Sequence, residues 1–382
     1  MRKSKAEWTA VALLLMSCLL PIRAKAQGPD PDSAITLERQ GKLSEAAKVW
    51  RTIVQQNPSD AAAFASLGVV LSKERKYDEA AAAYEKAIAL NPALPEVQLN
   101  LGLAEFKQGH FQEAVAPFRA VLAVDPNNLQ AATLLGLSYY GAKHFAEAVQ
   151  YLEPAAKSDP NNVELHQVLA QSCLFAKNYL CASDEFRQIL QHDPDSAATH
   201  MLSGEALDGL QRTPEAIAEF QAAAKVSPRE PNVHFGIGYL YWKSHRFDEA
   251  KREFENELTV DPKQALALAY LGDIAMKENN PDEALSLLKK AIGIKNDIQL
   301  AYIDLGAVLT EKDQYEDAVS ALQRAVELDP SQPDAHYRLA RVYKAMGRIP
   351  ESQKEYAKVQ ELHQESDDSL ASKIAAPPPM PQ

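Results

Sequence analysis

Residues 61–94 read AAAFASLGVVLSKERKYDEAAAAYEKAIALNPAL, and residues 95–128 read PEVQLNLGLAEFKQGHFQEAVAPFRAVLAVDPNN. Laid one under the other, they align Gly68 with Gly102, Ala80 with Ala114, Tyr84 with Phe118 and Pro92 with Pro126. The same 34-residue step runs through the chain. A proline preceded by Asn, Asp or Ser recurs at Pro58, Pro92, Pro126, Pro160, Pro194, Pro228 and Pro262, lapses at Asn296 and returns at Pro330. A fixed period of this length marks one supersecondary unit stacked many times. With the proline at position 32, units begin at residues 27, 61, 95, 129, 163, 197, 231, 265, 299 and 333.

That register makes further demands, and the sequence meets them. Position 8 is Ala34, Gly68, Gly102, Gly136, Ala170, Gly204, Gly238, Gly272, Gly306 and Ala340, and position 20 is alanine in every unit except the last, which has Ser352. Small residues at both places allow two antiparallel helices to cross closely without overpacking. Position 24 carries the wedges: Trp50, Tyr84, Phe118, Leu152, Phe186, Phe220, Phe254, Leu288, Leu322 and Tyr356. Within residues 61–94, Phe64, Leu67, Gly68 and Leu71 keep helical spacing, Lys73-Glu74-Arg75-Lys76 interrupts it, and Ala80, Tyr84 and Ala87 resume it. The unit reads as helix, turn, helix, stopped by its proline. In Thr213-Pro214-Glu215 and Asn280-Pro281-Asp282 the second helix opens on a capping side chain followed by proline.

The pattern resembles the tetratricopeptide repeat family over residues 27–366. The resemblance implies an all-α, right-handed superhelical solenoid of about ten 34-residue helix-turn-helix repeats. The chain departs from the family pattern in its first unit, where Pro29, Pro31 and Asp32 shorten the first helix, and at position 4, where the favoured tryptophan never appears. Pro117 and Pro154 fall inside second helices and are expected to kink them.

Little chain is left for anything else. Residues 1–26, MRKSKAEWTAVALLLMSCLLPIRAKA, have a basic start, an apolar run, a breaker at Pro21 and Ala24-Lys25-Ala26 as a small-x-small site. They read as a cleavable signal peptide, which places the mature chain outside the cytoplasm, periplasmic or secreted. Leu15-Met16-Ser17-Cys18 partly resembles a lipidation box, so anchoring through Cys18 is the alternative. The apolar run is too short to span a bilayer, and no later stretch is long enough, so no transmembrane segment is expected. Residues 367–382, DDSLASKIAAPPPMPQ, read as a disordered Pro-rich tail.

The whole sequence has 40 basic and 52 acidic side chains, and without residues 1–26 the balance is 35 to 51. So acidic a surface repels phosphate backbones, and nucleic-acid binding is not expected. Phosphate-loop, nucleophile-elbow, zinc-protease and paired-cysteine motifs are missing, so the expectation is no catalytic residue, no cofactor and no metal. Gly236-Ile-Gly238 is the nearest approach to a nucleotide loop, and it has neither the third glycine nor a preceding strand. His166, His200, His234 and His336 all fall at position 4. Equivalent positions in stacked helices lie on the order of 8 to 10 Å apart, too far to share one ion, so these histidines read as substitutes for the family's aromatic. Cys173 and Cys181 sit at positions 11 and 19 of one unit. Two cysteines in an exported chain permit a disulfide closing a nine-residue loop, worth roughly 2.5 kcal/mol, while Cys173 reads equally well as a small core residue.

The resemblance further implies a concave groove lined by positions 2, 5, 9, 12 and 13 of the first helices, holding a partner peptide or domain. Those positions carry Leu99, Leu103, Phe106, Leu137, Tyr140, Leu174, Phe175, Met201, Phe235, Tyr239 and Trp242. They are apolar and aromatic, as interface anchors are. The family's carboxylate clamp is absent, because Asn100 is surrounded in the repeat register by Ala65, Val69, Gln130 and Leu134 instead of lysines and asparagines. Glu205, Asp208, Asp273 and Asp304 make the later part of the inner face acidic, and Arg338, Arg341 and Lys344 make its end basic. The expected function is a non-enzymatic protein-interaction scaffold with a protein or peptide partner. The alternative is a structural subunit of an envelope assembly, secretion or polysaccharide-export complex.

Overall fold

The computed structural model describes residues 30–92 and 94–375. The expected signal segment, Cys18 and the last residues of the expected tail lie outside them. Among the described residues the chain forms twenty helices and no strand, divided between two compact bodies, Met1–Ala176 and Lys177–Gln382. The first body stacks the hairpins α1 (Pro31–Arg39) with α2 (Leu43–Gln56), α3 (Ala61–Lys73) with α4 (Tyr77–Leu90), α5 (Pro95–Gln108) with α6 (Phe111–Val124) and α7 (Leu129–Gly141) with α8 (Phe145–Ser158), and ends on α9 (Val163–Phe175). The second opens on α10 (Tyr179–His192) and continues with α11 (Ala197–Gly209) and α12 (Thr213–Val226), then α13 (Val233–Lys243) and α14 (Phe247–Val260). It is completed by α15 (Ala265–Lys277) and α16 (Pro281–Ile294), α17 (Gln299–Glu311) and α18 (Tyr315–Leu328), and α19 (Pro333–Ala345) and α20 (Ile349–Ala375).

The 34-residue register reappears in the backbone. Position 15, the turn between the two helices, has positive φ in every unit: Gly41, Arg75, Gly109, Lys143, Lys177, Gln211, His245, Asn279, Asp313 and Gly347. Side chains then cap the next first helix, as when Asp60, Asn128, Asn162 and Ser196 accept from the amides of Ala63, Ala131, Leu165 and Thr199. Asn280, expected to cap α16, makes no capping bond, because its amide donates to Glu283 Oε2 at 2.6 Å instead.

Packing explains the small residues. A Cβ on Gly68 would lie 2.5 Å from the Tyr84 ring, and one on Gly102 would lie 2.6 Å from the Phe118 ring. Position 8 is therefore small because the position 24 wedge of the same hairpin lies across it. Ala80, Ala114, Ala216 and Ala250 at position 20 are fully buried. Gly102→Ala is accordingly expected to destabilise the fold by about 1 to 3 kcal/mol, read as a lowered midpoint in urea unfolding. An unchanged midpoint would contradict this account of position 8.

First helices of successive hairpins touch one another directly, as α15 touches α17 and α17 touches α19, whereas each second helix packs mainly on the first helices beside it. In each body the first helices therefore form the tighter, inner face. Helices α6 and α8 contain Pro117 and Pro154 and continue past them. Two details differ from the sequence expectation. Helix α20 continues to Ala375, past the expected start of the disordered tail at residue 367, because Leu370, Ala371, Lys373 and Ala375 favour helix and Pro377 is the first breaker. Three of the four position 4 histidines are polar staples: Nδ1 of His200, His234 and His336 lies 2.6, 2.7 and 2.6 Å from Glu219, Glu253 and Glu355 on the second helix of the same hairpin. Nε2 of His200 and His336 also donates to the Pro194 and Pro330 carbonyls. Cys173 and Cys181 are both disulfide-bonded.

Candidate functional site

The repeat departs from its regular form at residues 231–264, and a cavity forms there. Pro231 and the left-handed Asn232, with φ of 69°, delay α13, which starts at Val233 and has 11 residues where most first helices have 13. Asn232 makes no capping bond of its own. A carboxylate from the next helix does that work. Glu257, fully buried near the end of α14, accepts from the Asn232 amide at 2.8 Å and the Phe235 amide at 3.1 Å. A negative group on the exposed amides of a helix start is favoured by hydrogen bonding and by the helix dipole together. It also fixes where Phe235 stands.

Gly236 lies against Phe220, where a Cβ would come within 2.5 Å of the ring, and Gly204 on α11 lies against the same ring. The glycine pair Gly236 and Gly238 thus serves two wedges, Phe220 and Phe254, and has no loop role. The result is a cavity of about 440 Å³ whose apolar lining is Met201, Phe220, Phe235, Tyr239, Leu240 and Leu266. Polar groups stand around it: Glu205 and Asp208 on α11, and Asn232, whose side-chain oxygen accepts from Gln264 at 3.2 Å. Phe235 stacks on Tyr239 at 6.5 Å and packs at a tilt against the buried Phe254 at 5.7 Å. The walls are therefore held by packed rings.

The expected groove residues divide. Met201, Phe235 and Tyr239 come together at the cavity. Trp242 does not line it, because its indole N–H donates to Asp273 Oδ2 at 2.5 Å and its ring packs edge-on against Tyr270 at 4.9 Å. In the first body Leu99, Leu103 and Phe106 are half-buried and pack against the core of Ala114, Val115, Phe118 and Leu135. Leu137 and Tyr140 are half-buried, and Tyr140 donates to Gln171. Leu174 is buried in the core. Phe175 is exposed and packs on Phe145 at 4.8 Å.

The acidic stretch is also rearranged. Asp273 and Asp304, expected on the open inner face, are buried, because positions 9 and 6 of neighbouring first helices meet where those helices touch. Asp273 binds Trp242 and Lys277. Asp304 Oδ2 is buried without a hydrogen-bond partner, and burial pushes its carboxyl up to about 7. Asp273 adds to that rise, while Arg338 and Lys277 oppose it. Burial likewise takes the Tyr270 hydroxyl up to about 12. Arg338 is held by Asp334 at 2.9 Å. At the cavity Asp208 is paired with Lys243 at 2.7 Å. Glu205 stays open to solvent, yet the surrounding walls raise its carboxyl above the usual range. Among the described residues no group of His, Cys, Asp and Glu could hold a metal ion, and no helix is long and apolar enough to cross a membrane.

Glu257 was not anticipated from sequence, though a signal is there. Position 27 is otherwise Ile53, Ala87, Val121, Ala155, Ile189, Ala223, Ala291, Ala325 and Val359, so a glutamate among nine apolar residues marks an exception.

Comparison with known proteins agrees with the repeat. Residues 39–165 match the profile described as the cytochrome c-type biogenesis protein H TPR domain. Residues 139–202, 235–298, 306–347 and 334–366 match profiles described as tetratricopeptide or TPR repeats. No curated protein matches the chain. Among solved structures, the APC/C hetero-tetramer Cut9–Hcn1 is similar at 13% identity and a TM-score of 0.51, over 86% of this chain and 79% of that one. Yeast Tom70 is similar at 16% identity and a TM-score of 0.42, over 90% and 94%. YrrB, described as a TPR protein with an unusual peptide-binding site, is similar at 20% identity and a TM-score of 0.40, over 50% of this chain and all of that one.

Proposed function

We propose, from the premise that the chain is a tetratricopeptide repeat protein, that it is a non-enzymatic scaffold holding a peptide or helix of a partner protein on the inner face of its second body. The observation that carries this reading is the aromatic cavity at residues 201–266. Apolar side chains gathered in a depression, backed by packed rings and fixed by a buried carboxylate, are a rigid receptor, so ordering cost on binding is small. The test compares affinity capture by the parent chain with capture by Met201→Glu and Tyr239→Ala variants that keep the parent's circular dichroism. Partners retained by the parent and lost from both variants support the reading, and partners retained equally overturn it.

Export is the second part of the proposal. It rests on the pattern of residues 1–26 and is supported by the disulfide-bonded Cys173 and Cys181, since disulfides persist chiefly in oxidising compartments. Intact mass of unreduced protein from the native host is expected to correspond to a chain starting at Gln27 with both thiols oxidised. Free thiols and an intact leader would contradict it, and a mass increment on a chain starting at Cys18 would support the lipid anchor instead.

A further inference from the structure

We infer that Glu205 seats a cationic side chain, lysine or arginine, of the segment that the cavity holds, so that the partner presents a bulky apolar residue next to a basic one. The inference rests on the reading of the cavity as a binding site and names the chemistry of its occupant. Glu205 stands one helical turn from Met201 on α11, with its carboxylate at the edge of a depression otherwise walled by Met201, Phe235 and Tyr239. The other carboxylate at the cavity is already neutralised: Asp208 is paired with Lys243. Among the described residues Glu205 has no ion pair, and it is open to solvent beside apolar side chains that do not match its charge. An unpaired carboxylate at the rim of an apolar depression attracts a cation, and the side chains around it screen that attraction less than open water does.

The rings strengthen the choice. A cation seated on Glu205 enters a cavity also lined by Phe235 and Tyr239, and aromatic rings attract positive charge. An acidic segment meets repulsion both at the site and from a chain with a formal charge of −12. A second copy of this chain is disfavoured for the same reason.

Selection of random dodecapeptides displayed on phage tests this, with the purified chain and its Glu205→Gln and Met201→Glu variants as targets. The parent is expected to enrich sequences with Phe, Leu or Trp adjacent to Lys or Arg. Glu205→Gln is expected to keep the apolar preference and lose the basic one. Synthetic peptides from the parent pool should bind Glu205→Gln about tenfold more weakly, and their Lys→Gln counterparts should bind both proteins equally. A basic preference that survives in Glu205→Gln, or peptides enriched without any basic residue, overturns the cation seat while leaving the cavity reading intact. Enrichment unaffected by Met201→Glu, or no enrichment on the parent, overturns both.

Discussion

Asp304→Asn is expected to flatten the dependence of stability on pH between about pH 4 and pH 7. In the parent, the unfolded chain ionises Asp304 near the ordinary aspartate value while the folded chain keeps its proton until about pH 7. The folded state then binds the extra proton, so unfolding free energy falls as pH rises through that window, by about 1.4 kcal/mol per unit. Below it both states are protonated, and above it both are ionised and the penalty is constant. The accumulated loss is about 4 kcal/mol, set by burial and by Asp273, with Lys277 on the same neighbouring helix and Arg338 across from it reducing it and Asp334 adding to it. Asparagine does not ionise, so the difference between variant and parent should swing toward the variant by that amount from pH 4 to pH 8. Urea unfolding at four pH values measures it. A pH-independent difference would mean that the folded state leaves this carboxyl unperturbed.

Glu257→Ala is expected to cost about 3 to 5 kcal/mol. It strands two part-buried amides at the start of α13, those of Asn232 and Phe235, and removes a charge-assisted cap. Glu257→Gln keeps one acceptor oxygen and should recover about half of the loss. The effect reaches beyond stability, because the same amides fix Phe235 at the cavity wall. Hydrogen exchange should show the Phe235 amide losing protection in Glu257→Ala while the Asp304 helix keeps its own. Equal loss in both would mean that Glu257 is an ordinary core residue with no local bearing on the cavity.

Most of the architecture was legible in the sequence because a repeat tests its own register. Position 8 had to be small in every unit once Tyr84 and Phe118 were recognised as wedges, and the structure shows those rings lying against Gly68 and Gly102. Single side chains were harder to read. A position in the repeat fixes which face of a helix a residue occupies, but not whether a neighbour closes over it. Trp242 and Tyr239 stand three residues apart on the same helix, yet one turns to Asp273 and the other to the cavity. Asp273 and Asp304 looked like open charges until direct packing between first helices buried them. The histidines at position 4 looked like aromatic substitutes, and their 19-residue spacing from Glu219, Glu253 and Glu355 held the unread half of the pairing. At Glu257 the exception to the repeat was the informative residue. Local breaks in an otherwise consistent pattern are where function is expected to sit.

On the proposed function, the partner is bound at the cavity lined by α11, α13 and α15. Photo-crosslinking measures this most directly, with a benzophenone amino acid placed at Met201 in one protein and, as a control, at the exposed Asn256 on the second helix of the neighbouring hairpin in another. One partner is expected to be crosslinked from position 201 and displaced by an excess of a cavity-selected basic peptide, while position 256 does not capture it. The same partner captured from position 256, undisturbed by the peptide and absent from position 201, would contradict the proposed function.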